Sequence, residues 1–368
     1  MSKPLKILMS GGGTGGHIFP AIAIANKLKE HYPDAEIVFV GAKGRMEMEK
    51  VPRVGYPIHG LWISGFQRKL TIDNLSFPFK LISSLWKAAA IIKNFKPDIA
   101  IGTGGYASGP LLYMASRRKV PALILEQNSY PGITNKILGK RVNTICVAYE
   151  GMENYFPSGK LVITGAPIRK EILNLKTTRE EGLNHFNLEV NRPVLLIIGG
   201  SQGARGINQA ILENLNEIAV LGIQIIWQTG TFSLEKAKNA AKSSPFGKRI
   251  KVVDFIYEMD KAYAAADMLV SRAGAIAIAE IVAVGKPAIF IPLPSAAEDH
   301  QTKNALSLAE KGAAILLREA EAKTRIVETI NELVESDKKR RDIINNLKPF
   351  KTDDATENIV KEVKKLLK

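Results

Sequence analysis

The chain has 368 residues, 46% of them hydrophobic and 24% charged, with a single cysteine and a formal net charge of +15. That length exceeds one ordinary hydrophobic core and predicts two soluble globular domains, while the lone Cys146 excludes an intrachain disulfide framework and reads as a buried strand thiol. No run of ~18 apolar residues predicts a membrane-spanning helix, Met1-Ser2-Lys3-Pro4 leads into a strand rather than a signal segment, and the expected compartment is the cytoplasm.

Strands and helices alternate along the chain, the pattern of parallel sheets with crossover helices. In the first half, strands are expected at Lys6–Ser10, Glu36–Val40, Ile99–Gly102, Ala122–Glu126 and Thr144–Val147, with a helix over Ile18–Glu30. Gly and Pro interrupt the pattern at Thr164-Gly165-Ala166-Pro167, which predicts the domain junction. Strands at Val194–Ile198, Gln224–Gln228, Ile250–Val253, Met268–Ser271 and Ala288–Ile291 follow, separated by helices such as Ile207–Ile218, Met259–Ala265 and Gln301–Lys311. An amphipathic helix through Ile359, Val360, Val363, Leu366 and Leu367 ends the pattern. The predicted fold is α/β: two Rossmann-like parallel-sheet domains facing across a cleft. The first takes residues 1–165 and the second 166–349, and a final helix in 350–368 packs back on the first.

Two glycine loops of one design stand half a chain apart. Lys6–Ser10 runs into Gly11-Gly12-Gly13-Thr14-Gly15-Gly16-His17, and Val194–Ile198 runs into Gly199-Gly200-Ser201-Gln202-Gly203. Glycine lets backbone amides approach an anion, and a following helix N-terminus adds partial positive charge, so each loop reads as a phosphate cradle. The plainer alternative is tight strand–helix packing. Gly11, Gly13 and Gly16 also satisfy the dinucleotide pattern, but the second strand ends Val40-Gly41-Ala42-Lys43, without the carboxylate that would hold an NAD ribose. A third loop, Gly102-Thr103-Gly104-Gly105-Tyr106, and a fourth rim at Ser271-Arg272-Ala273-Gly274-Ala275 also lie at strand C-termini. Arg272 is a candidate phosphate ligand. Glu280, on the second turn of the next helix, is either a ribose acceptor or a solvated residue.

Gly12 to His17, Gly104-Gly105-Tyr106, Glu126-Gln127-Asn128, Gly199 to Ala204, Arg272 to Ala275 with Glu280, and Asp299-His300-Gln301 with Asn304-Ala305 occur in an order that is recognisable. Through them the chain resembles the N-acetylglucosaminyltransferases of bacterial peptidoglycan synthesis, which convert lipid I to lipid II. The resemblance implies a GT-B glycosyltransferase whose C-terminal domain holds UDP-GlcNAc and whose N-terminal domain takes the acceptor, lipid I (undecaprenyl-pyrophosphoryl-MurNAc-peptide). It implies that Ile256 holds uracil by its backbone, Ser201 and Arg169 serve the diphosphate, and Glu280 binds the ribose. Gln301 and Asn128 would contact the GlcNAc, Ala275, Ile276 and Glu280 would line its pocket, and Thr14, Gly15 and Gly16 would face it. Tyr106 falls to the acceptor side. Ala166, Ala273, Ala277 and Thr302 depart from the resembled family, which commonly has polar side chains there.

Transfer to a sugar hydroxyl requires a stabilised leaving UDP, a base and alignment. No Asp-x-Asp occurs in the chain, so no tightly bound metal or other cofactor is expected, the charge falling to the helix start after Ser201 and to Arg169. His17, whose imidazole titrates near working pH, leads as base and Glu126 follows. The family inverts at the sugar carbon, which implies single displacement.

Between Gly60 and Arg141 twelve Lys/Arg stand against three acids. Within this stretch Leu75, Phe79, Ile82 and Trp86 recur at helical spacing, with Lys80 and Lys87 beside them and Pro78 suiting a helix start. Such a stripe either packs into the core or rests on an anionic bilayer. With a polyprenyl acceptor, the expectation is peripheral attachment at the cytoplasmic face of the cell membrane, in reach of cell-wall synthesis and division proteins. A UDP-sugar epimerase of similar fold is the main alternative. An RNA-binding protein is the lesser one, since no repeated aromatic platform for bases is present.

Overall fold

The structure, a computed structural model, describes residues 3–65, 76–200 and 202–368. It divides into two compact units, Met1–Ile168 with Thr352–Lys368, and Arg169–Lys351.

The first unit is a seven-stranded parallel sheet. Its strands are β1 (Lys6–Ser10), β2 (Glu36–Ala42), β3 (Ile58–Leu61), β4 (Ile99–Gly102), β5 (Ala122–Glu126), β6 (Thr144–Val147) and β7 (Leu161–Ile163), in spatial order β3-β2-β1-β4-β5-β6-β7. Its main helices are α1 (Gly15–His31), α2 (Glu47–Arg53), α3 (Phe77–Phe95), α4 (Ser108–Arg117) and α5 (Ile133–Gly139). Alternation along the strands divides the core in two. Ile7, Met9, Ile99, Ile101, Leu123 and Leu125 face α1 and the C-terminal helix Ala355–Leu366, whereas Leu8, Ala100 and Ile124 face Ile91, Leu111 and Leu138. Ile359, Val360 and Val363 of the C-terminal helix are fully buried in the first of these cores. Each contributes about 1.5–3 kcal/mol by area removed from water. Cys146 is buried on β6, as its apolar run predicts, and burial pushes its thiol above the ordinary range.

The second unit repeats the plan with six strands: β8 (Val194–Ile198), β9 (Gln224–Gln228), β10 (Ile250–Val253), β11 (Met268–Ser271), β12 (Ala288–Phe290) and β13 (Ile315–Leu316). All pairings are parallel, in the order β10-β9-β8-β11-β12-β13. The strands not expected from sequence, β3, β7 and β13, are all sheet edges, where pairing on one side leaves a short and weakly patterned run. The helix expected over Ile207–Ile218 is two, α6 (Arg205–Glu213) and α7 (Leu215–Val220). Between them the Asn214 side chain donates to the Ala210 carbonyl at 2.8 Å, competing with the helix ladder.

Candidate active site

In the first unit β1 delivers the chain into the first glycine loop and α1. Pro20 lies within α1 and has no N–H for the Gly16 carbonyl four residues earlier. That carbonyl accepts instead from Gln127 Nε2 at 2.9 Å, and the next one, on His17, accepts from Thr103 Oγ1 at 2.6 Å. The start of α1 is therefore tied to β4 and β5 through side chains from two other loops.

His17 folds back over its own loop, its Nδ1 lying 3.0 Å from the Gly12 carbonyl and 3.4 Å from Thr14 Oγ1. A carbonyl only accepts, so the Gly12 contact puts a proton on Nδ1 and leaves the ring lone pair on Nε2. The imidazole sits against Gly104, at φ +103°, where a Cβ would overlap the ring.

In the first loop one glycine amide is already engaged by a side chain. Glu47, only 1% exposed, accepts from Gly13 N–H and Ala42 N–H, both at 2.9 Å. A side chain at Gly12 would overlap that carboxylate. An internal carboxylate thus occupies the Gly13 amide, and packing against that side chain accounts for the glycine at position 12.

Glu126 is buried at the end of β5. It accepts from the backbone N–H and side-chain amide of Asn128, both at 3.0 Å, from Gly132 N–H at 3.0 Å and from Asn135 Nδ2 at 2.9 Å. Four donors fill the lone-pair sites of a carboxylate, so Glu126 organises this loop and is a poor acceptor for a substrate proton. Tyr106 is exposed beside Gly13 and Gly65.

In the second unit the glycine loop after β8 is secured by a neutral side chain. Gln228 Oε1 accepts from Gly199 N–H at 3.0 Å, and its amide donates to the Gly200 and Asp254 carbonyls at 2.9 and 3.0 Å. Ser201 lies outside the described residues, as does Leu75. Ile256 buries its side chain and anchors the loop after β10, with the rings of Phe255 and Tyr257 meeting edge to face at 4.9 Å on either side of it.

Glu280, on helix α8 (Ala275–Val284), is no solvated residue: it is 3% exposed. Arg169 grips it with Nε–Oε1 at 2.7 Å and Nη2–Oε2 at 2.8 Å, and Tyr263 donates its hydroxyl to Oε2 at 3.1 Å. Burial disfavours the Arg169 charge, yet Glu280 outweighs it and holds the guanidinium above its ordinary value. Burial, then the Glu280 charge, push the Tyr263 phenol well above its usual range, so it remains a donor. The residues expected at the diphosphate and the ribose thus bind one another, with Arg169 half-exposed.

Arg272, expected as a phosphate ligand, is corrected to a structural clamp. It is buried, donates to the Ile291 and Pro292 carbonyls at 3.0 and 2.9 Å, and pairs with Glu319. Gln301 Oε1 accepts from Leu293 N–H at 2.9 Å, and Ala275 and Ile276 open α8.

The described members of the apolar stripe do not pack into the core. Phe79, Ile82 and Trp86 of α3 are 69%, 55% and 76% exposed, with Trp62 exposed as well. Lys80 lies over the Trp62 ring at 5.9 Å, and Lys87 donates to the Gly60 carbonyl at 2.7 Å. Among the described residues no helix is long and apolar enough to cross a membrane.

Sequence reasoning missed Glu47, Thr103, Asn135 and Tyr263 and passed over Gln127. Glu47 sits in a polar run that reads as a surface helix. The one available signal was Gln127, between two residues already singled out.

Comparison with known proteins follows the same division. The chain matches the glycosyltransferase family 28 N-terminal domain over residues 7–147 and the family 28 C-terminal domain over residues 194–361. A Cytophaga hutchinsonii protein named UDP-N-acetylglucosamine–N-acetylmuramyl-(pentapeptide) pyrophosphoryl-undecaprenol N-acetylglucosamine transferase is 53% identical over 361 residues, 98% of this chain and 96% of the relative. A Flavobacterium psychrophilum protein of the same name is 48% identical over 364 residues, 98% of each chain. The crystal structure of Acinetobacter baumannii MurG superposes with a TM-score of 0.82 at 29% identity, covering 98% of this chain and all (100%) of that one. A UDP-GlcNAc 2-epimerase from Neisseria meningitidis, at 16% identity and a TM-score of 0.66, shares the fold alone.

Proposed function

The chain belongs to glycosyltransferase family 28 and has the GT-B fold; from that premise we propose that it moves GlcNAc from UDP-GlcNAc to the MurNAc 4-hydroxyl of lipid I, forming the β-1,4 disaccharide of lipid II. The near-full-length identity to transferases named for that reaction carries the reading.

In the proposed step the acceptor O4 attacks the sugar C1 and the bond from C1 to the diphosphate oxygen breaks. The configuration inverts and UDP departs with the bonding electron pair. His17 Nε2 takes the proton from the 4-hydroxyl, a role that the Nδ1–H contact with Gly12 suits. Glu126 is the second choice, because its lone pairs are already engaged. In the second unit, ribose hydroxyls donate to Glu280 in place of Arg169, whose half-exposed guanidinium then turns to the diphosphate. Ser201 and the helix start after it share that charge, and the Ile256 backbone receives the uracil. Asn128 and Gln301 contact the GlcNAc, with Ala275, Ile276, Thr14, Gly15 and Gly16 lining its place and Tyr106 on the acceptor side.

The exposed Trp62, Phe79, Ile82 and Trp86, within the basic stretch, support peripheral attachment to the cytoplasmic face of an anionic membrane. Each nearby Lys or Arg adds about 1 kcal/mol. Binding to anionic vesicles should fall with added salt and with Trp86→Ala; indifference to both would remove the membrane from the reading. Transfer of labelled GlcNAc onto a lipid-linked muramyl peptide, with other UDP sugars as controls, tests the reaction. Isomerised sugar from UDP-GlcNAc alone would favour an epimerase instead.

A further inference from the structure

One peptide group in the first glycine loop has both its polar ends taken by side chains. The C=O of Gly12 faces His17 Nδ1 at 3.0 Å, and the N–H of the same peptide unit, carried by Gly13, donates to Glu47 Oε2 at 2.9 Å. The other Glu47 oxygen is held by Ala42 N–H at the end of β2. The carboxylate is therefore fixed at both oxygens, buried, and separated from the imidazole by a single amide.

From this arrangement we infer that Glu47 is a positioning residue that acts on His17 through the Gly12–Gly13 peptide group. A carboxylate accepting the amide N–H draws that dipole toward itself and leaves more negative charge on the Gly12 oxygen. The oxygen then holds the Nδ1–H more firmly, which fixes the ring tautomer and raises the basicity of Nε2. In catalytic dyads a carboxylate touches the histidine directly; here a backbone amide stands between them. Two structural details are accounted for by this role. Gly12 must lack a side chain because the carboxylate presses on it, and Gly104 must lack one because the imidazole lies against it. Among the described residues, the titratable side chains Glu47 and Tyr106 lie against the loop, and Glu126 lies one residue before the Gln127 that binds Gly16.

The inference rests on His17 being the base, and its tests separate the two ideas. Nitrogen-15 NMR of histidine-labelled full-length protein reads the tautomer directly. Neutral His17 is expected with its proton on Nδ1, and a proton on Nε2 would overturn the relay without any substitution. Glu47→Gln, with folding checked by circular dichroism and an unshifted thermal unfolding profile, is expected to lower the His17 pKa by about half to one unit. The acidic limb of the rate profile should move with it, kcat should drop about tenfold, and KM for UDP-GlcNAc should stay within about twofold. Glu47→Asp, charged but shorter, should recover part of the pKa shift. A folded Glu47→Gln with an unmoved His17 pKa sinks the relay alone. Full turnover by His17→Ala sinks the base assignment, whatever the tautomer.

Discussion

The glycine loops after β1 and β8 each join a strand to a helix, yet the side chain that secures each differs in charge. Under the first lies the Glu47 carboxylate, bound to Gly13 and Ala42. Under the second lies the neutral amide of Gln228, bound to Gly199, Gly200 and Asp254. Both anchors come from the region of the neighbouring strand, β2 or β9. Each loop gives one glycine amide to its anchor, Gly13 to Glu47 and Gly199 to Gln228, but the carboxylate adds a repulsive charge where the glutamine leaves the positive potential of the helix start intact. Similar glycine spacing thus supports different local electrostatics: a histidine held beside a buried carboxylate in the first loop, and a loop secured by a neutral amide in the second.

This contrast can be broken experimentally. The largest effect is expected from His17→Ala, with kcat lower by about 10²–10⁴-fold and UDP affinity unchanged; single-turnover transfer assays and calorimetry separate the two. Equal loss of UDP binding would mean that the first loop serves the nucleotide after all. Gln228→Glu would give the second loop the charge of the first. UDP affinity should then weaken about 10–100-fold, partly restored at low pH as the new carboxyl protonates; an unchanged Kd would remove charge as the distinguishing feature.

Glu280→Gln should cost about 1–3 kcal/mol of UDP binding, since the proposed ribose contact loses a charged acceptor. A 2′-deoxy analogue of UDP should then show a smaller penalty with the variant than with the unsubstituted chain. Gln127→Leu is the mildest test. It leaves the Gly16 carbonyl without its donor, and should lower thermal stability by about 1 kcal/mol and disturb turnover more than UDP binding.

Much of the fold is written in residue order. Buried strands such as Leu195–Ile198 read as apolar runs, glycines mark the turns at their ends, and β8, β9, β10 and β11 lie where these signals place them. The weakly paired edges β3, β7 and β13 escaped because a strand with one neighbour needs little pattern. Sequence motifs singled out His17, Glu126 and Glu280 as candidates but not which groups each of them binds. Partnership is a matter of three dimensions: Arg169 reaches Glu280 across 111 positions, and Glu47 reaches Gly13 across 34. Residue type and spacing determine which chemistry the chain carries and where its loops open. Only packing decides which lone pairs are filled and which charges are buried. Electrostatic strength depends on distance and burial, and neither is encoded in local sequence.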